Sequence, residues 1–182
     1  TANWEGGSLV ADSFGKLLVN GAPRLAVPGD LNAPITLTGT PDHLGFQRLY
    51  VRQYLWSNVV SFASVGDIDV GGVQGAKVAI GLGSGPLTDA LPAGFTDFDV
   101  PLASIRSFTL SRRLGSSLTF AGGQIMAPVI QKLTMFNTNA NSSFGGVEYG
   151  VLTTQIGVLS LATPRVRLRD VTASGLAILP PE

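Results

Sequence analysis

Twenty-three glycines and eleven prolines are scattered along the 182 residues, and no other property of this chain restricts its fold so strongly. Proline removes a helical hydrogen bond and glycine costs about 1 kcal/mol in a helix interior, so windows long enough for three helical turns are scarce. Short strands bounded by turns suit the spacing. Lys16–Asn20, Arg24–Val27 and Ile35–Thr38 are rich in apolar or β-branched residues, and Asn20-Gly21-Ala22-Pro23 and Pro28-Gly29-Asp30 between them are turn compositions. From Phe46 to Trp56 the chain reads as strictly alternating, with Phe46, Arg48, Tyr50, Arg52, Tyr54 and Trp56 on one side and Gln47, Leu49, Val51, Gln53 and Leu55 on the other. This predicts a long strand; a helix is the alternative, because the window lacks glycine and proline. Further strands are predicted over Val59–Val65, Val73–Leu82, Ile105–Ser111, Val129–Phe136, Val147–Ile156 and Arg165–Val171. Gly83–Gly94 and Thr138–Gly146 read as loops, the second mobile because its asparagines, serines and glycines bring little apolar area to offset ordering entropy.

The pattern predicts an all-β fold: one domain over residues 1–182, built as a jelly roll, β-barrel or sandwich of about eight to ten short strands. Aligning the glycine-containing turns reveals no repeat of fixed period, which disfavours a solenoid or propeller, and no shift in composition marks a linker.

Twelve basic and twelve acidic residues cancel. Such a chain lacks the long-range positive field of a nucleic-acid or anionic-membrane binder, and sequence-specific nucleic-acid binding is not expected. Charged residues make up only 13% of the chain, about half the usual share, which suits a surface covered by other subunits or one rich in glycine and threonine. Cysteine is absent, so disulfides and thiolate metal sites are excluded. Arginines outnumber lysines, a bias compatible with a thermophilic host and equally with a GC-rich genome. No stretch reaches the roughly 18 consecutive apolar residues of a membrane-spanning helix, and Thr1-Ala2-Asn3-Trp4-Glu5 shows no basic segment leading into an apolar run.

No constellation of catalytic type emerges, and neither a catalytic residue, a metal nor a cofactor is expected. The single histidine, His43, lies in Thr40-Pro41-Asp42-His43-Leu44-Gly45 without a Gly-x-Ser-x-Gly elbow. Asp67-Ile68-Asp69 and Asp97-Phe98-Asp99 each place two carboxylates on one strand face, a pair that could approach calcium, but neither has the ligand run of an EF-hand loop. Gly81-Leu82-Gly83-Ser84-Gly85 follows an apolar strand, yet Pro86, Pro92 and Gly94 stand where a phosphate-binding helix would start. Two rows are candidates for an interface: Arg48, Tyr50, Arg52 and Tyr54, residue types enriched at binding hot spots, and Arg165, Arg167 and Arg169, which share one strand face opposite Val166 and Leu168.

In its size, its cysteine-free and arginine-biased composition and its many short strands, the chain resembles the small major capsid protein of the icosahedral, internal-membrane-containing Thermus phages, a family of single vertical jelly rolls. No diagnostic motif carries the likeness, so no contact residue is transferred. The resemblance implies a non-enzymatic bacteriophage structural protein located in the virion capsid, which associates with copies of itself, with a second capsid protein and with lipid headgroups of an internal membrane. The alternative is a secreted or cell-surface β-sandwich module for carbohydrate or another ligand, with Trp4, Trp56, Tyr50 and Tyr54 as stacking rings.

Overall fold

Apolar residues set at short, repeated intervals make strands that can stack one above another, and a computed structural model, which describes residues 3–82, 98–111, 120–136, 150–162 and 165–177, shows how they do so. The strands are β1 (Trp4–Glu5), β2 (Leu9–Ala11), β3 (Phe14–Val19), β4 (Leu31–Asn32), β5 (Ile35–Leu37), β6 (Phe46–Leu55), β7 (Val59–Ser61) and β8 (Val65–Gln74). They continue with β9 (Lys77–Ile80), β10 (Ser104–Leu110), β11 (Phe120–Ala121), β12 (Gln124–Met126), β13 (Val129–Met135), β14 (Gly150–Ala162) and β15 (Arg165–Ala177), the last described by its backbone. All fifteen belong to one curled sheet. The all-β class read from the sequence holds, and Phe46–Leu55 is a strand and not a helix.

Pairing direction adds what the sequence reading set aside. Every ladder except β14–β15 is parallel, whereas the hairpins and Greek keys of a jelly roll pair antiparallel. The sheet curls because the chain winds in successive three-sided coils, each laid on the one before, as in a solenoid. One side stacks Trp4, Leu31, Leu55, Val73 and Phe120. A second stacks Leu9, Ile35, Val59, Val78, Ile125 and Val151. The third is the longest and carries β3, β6, β8, β10, β13 and β14 in register.

On that third side one six-residue phrase recurs, starting at Phe14, Phe46, Val65, Ile105, Ile130 and Ile156. Its first, fourth and sixth residues point into the core and the others lie outside, as in Phe46, Leu49 and Val51 or Ile105, Phe108 and Leu110. The columns so formed supply about half of the continuous core. The second position is tight between coils: a Cβ on Gly66 would run into the carbonyl oxygen of Gln47, and one on Gly157 would lie 2.6 Å from that of Gln131.

Three local readings are corrected. Arg24–Val27 is no strand: Pro23–Leu25 forms a single 3-10 turn ending on Ala26 at φ 55°. Residues 66–72, unmarked in the sequence reading, join Val65 and Val73–Gln74 in one of the longest strands; the strand predicted over Val59–Val65 stops at Ser61, and Val73–Leu82 divides at Gly75 between β8 and β9. The alternation over 46–56 is not strict: Phe46 is fully buried, Gln47 and Arg48 both lie outside, and the register shifts again between Val51 and Tyr54. The predicted loops Gly83–Gly94 and Thr138–Gly146 both fall wholly outside the described residues.

Candidate functional site: the outer face and the open first coil

The outward residues of the third side form columns as regular as those of the core. One runs Lys16, Arg48, Asp67, Ser107, Lys132, Val158, and its next register position on β15 is Arg169. The neighbouring column runs Leu18, Tyr50, Asp69, Thr109, Thr134, Ser160, with Arg167 next on β15. Arg165 is opposite Ala162. The second arginine row thus occupies the edge strand that closes the last coil.

Charges in the middle of this face are matched inside the molecule. Arg106 donates from Nε and Nη2 to the two carboxylate oxygens of Asp67, at 2.9 and 2.7 Å. This fork holds the Asp67 carboxyl below the usual carboxylate range, against the opposing effect of partial desolvation, and raises the Arg106 guanidinium. Arg48 stands 3.7 Å from Asp69, and its guanidinium carbon is 5.7 Å from the centre of the Tyr50 ring. Asp67 and Asp69 do share one face, as their spacing implies, and both face arginines. Asp99 is exposed at the bend after Phe98. Among the described residues no group of three or more histidine, aspartate or glutamate side chains is placed to hold a metal ion.

Of the first candidate row, Arg48 and Tyr50 lie on this outer face, whereas Arg52 and Tyr54 follow the register shift and belong to the corner beyond it. There Asp30 accepts a hydrogen bond from the Tyr54 backbone N–H at 2.9 Å, and the Tyr54 and Trp56 rings sit 5.6 Å apart, inclined by 54°. His43 is exposed, its Nδ1 2.9 Å from Thr40 Oγ1 and 3.3 Å from Asp42; the Thr40 hydroxyl, first among the causes, lowers the Asp42 carboxyl.

The two ends of the coil stack differ. At one end β15 lies antiparallel along the outer edge of β14. At the other, β1 pairs with β4, β2 with β5 and β3 with β6, and none has a second strand beyond it among the described residues. Trp4, Leu9, Ala11, Phe14 and Leu17 continue the core columns, yet they are only partly buried, while their partners Leu31, Ile35, Leu37, Phe46 and Leu49 are closed off from solvent. Val10 is 66% exposed on β2. The sequence reading missed this end, because it depends on which strand lies next to which.

Fold and surface together define a parallel, coiled β-structure in which, among the described residues, one end carries an antiparallel strand and the other ends on a first coil with partly buried apolar side chains. Comparison of the chain with protein-family models, curated proteins and solved structures finds no match in any of the three.

Proposed function

We propose that this chain is a structural protein that works by associating with copies of itself, of the kind that builds virion shells. The observation that carries the reading is the open first coil: core columns that run uninterrupted through the molecule end on half-buried Trp4, Leu9, Phe14 and Leu17. Apolar edges of this type are where β-proteins join or aggregate. The internal matching of Asp67 with Arg106 and of Asp69 with Arg48 leaves the middle of the long face neutral, which suits lateral packing in a layer. A second shell protein or lipid headgroups would meet the basic register positions Arg165, Arg167 and Arg169. This reading rests on coil geometry and does not use the antiparallel strand order of a jelly roll.

The rival reading, a carbohydrate-binding module, rests on Tyr54 and Trp56. Their 54° inclination makes them a poorer flat platform than coplanar rings would be for a sugar face. Light scattering and electron microscopy over a range of protein concentrations, with glycan-array screening in parallel, separate the two. Concentration-dependent assembly with no glycan binding is expected. A chain that stays monomeric throughout and binds a glycan would overturn the structural reading.

A further inference from the structure

We propose that Asn20 is a self-modifying site, whose side-chain amide is lost by attack of the Gly21 backbone nitrogen and replaced by a carboxylate that stands beside Arg52. The reaction is independent of self-association.

The turn after β3 is built on two glycines packed back to back. Gly21 has φ 68° and Gly29 φ 89°, a region of backbone conformation that favours glycine. A Cβ on Gly21 would lie 2.7 Å from the carbonyl oxygen of Val27 and 2.8 Å from that of Pro28, and one on Gly29 would lie 2.6 Å from the Gly21 nitrogen. The fold therefore requires a glycine directly after position 20. It does not require an asparagine before it: Asn20 is exposed, and its side chain makes no hydrogen bond among the described residues.

The other described asparagines are engaged. Asn3 Oδ1 accepts from the backbone N–H groups of Gly29 and Asp30 at 2.7 and 2.8 Å. Asn32 Oδ1 accepts from the Ser57 hydroxyl at 3.0 Å, and Asn58 Oδ1 from the Lys77 N–H at 2.9 Å. Trp4, Ala33 and Val59 follow these three, so each attacking nitrogen would be crowded by a side chain. Gly21 has none, and its N–H makes no backbone hydrogen bond among the described residues.

The step balances with water as the only co-reactant. The Gly21 nitrogen bonds to Cγ of Asn20, the Cγ–Nδ2 bond breaks, and the proton given up by the amide leaves on ammonia. The five-membered succinimide so closed is opened by water at either carbonyl, giving aspartate, or isoaspartate with the main chain rerouted through the side chain. Arg52 is placed to receive the product. Val19 pairs with Val51, so position 20 comes next to Arg52, and a Cβ on Gly29 would lie 3.0 Å from both the Arg52 Cβ and the carbonyl carbon of Asn20. Arg48 and Arg106 face aspartates, whereas exposed Arg52 has no ion pair among the described residues.

The test follows each asparagine by peptide mass spectrometry in the full chain, folded and unfolded in urea, in neutral and mildly alkaline buffer. In the folded protein Asn20 is expected to convert to aspartate and isoaspartate at a rate within about tenfold of the unfolded chain, faster in alkali, while Asn3, Asn32 and Asn58 keep their amides. Asn20→Gln, which would have to close a six-membered ring, is expected to stay intact over the same period. In Asn20→Asp the new carboxyl is expected to titrate at lower pH than in the double variant that also carries Arg52→Gln. Conversion slowed more than about tenfold by folding would overturn the site. Equal titration in the two variants would overturn Arg52 as the partner.

Discussion

Asp67 and Arg106 are 39 residues apart in the chain and meet in a two-point contact between adjacent coils, at 2.9 and 2.7 Å. The contact ties β8 to β10 on the outside, above the point where Ile68 and Phe108 tie them on the inside.

That contact carries a pH signature. The folded-state pKa of Asp67 is depressed, so its contribution is present above the unfolded carboxylate value of about 3.9 and is lost as pH falls through the lower folded value. Asp67→Asn is expected to lower the urea midpoint slightly at pH 7, since both partners are partly exposed. The gap from the parent should close in acid. Equal midpoints at pH 7, or a gap that survives at pH 2, would contradict the assignment.

Coil spacing makes Gly66 intolerant of a side chain. Gly66→Ala pushes a methyl group at the Gln47 carbonyl and is expected to cost about 1 to 3 kcal/mol in chemical denaturation. Gly15 occupies the same phrase position on the open coil, where nothing lies within 4 Å of an added Cβ. Gly15→Ala should be nearly neutral, and equal losses in the two variants would refute the explanation by coil contact.

Neighbouring residues of one phrase should behave oppositely. Phe108 is fully buried in an inward column, and Phe108→Ala is expected to cost about 3 to 5 kcal/mol. Thr109 faces outward, and Thr109→Ala is expected to stay within about 0.5 kcal/mol of the parent by the same measurement.

Replacing Arg165, Arg167 and Arg169 together by glutamine is expected to leave the circular dichroism spectrum unchanged and to reduce binding to a partner layer or to anionic vesicles. The parent's binding should weaken as salt rises. Unchanged binding by the folded triple variant would return the row to the role of a solvated edge.

The all-β class was legible because glycine and proline interrupt nearly every helical window while β-branched runs recur. The coil was not, although its phrase is written out at Phe46-Gln47-Arg48-Leu49-Tyr50-Val51 and Val65-Gly66-Asp67-Ile68-Asp69-Val70. The step from Phe46 to Val65 is 19 residues and the next, from Val65 to Ile105, is 40, so a search for one fixed period fails. Matching the apolar first, fourth and sixth positions without a set spacing would have found it. Strict alternation also misled at Phe46, because the phrase sets two successive residues outside the core. The partnership of Asp67 with Arg106 follows only from knowing that β8 and β10 lie side by side.

A closed barrel fixes its number of strands, because the last must return to the first. The repeated phrase imposes no such condition. Each inner coil meets its neighbours through equivalent columns, so duplicating or deleting one whole turn would leave every remaining ladder partnered and change the height by about 4.8 Å. Length in this molecule is therefore open to variation by simple gain or loss of segments, with the two unlike ends as the only parts that must be kept.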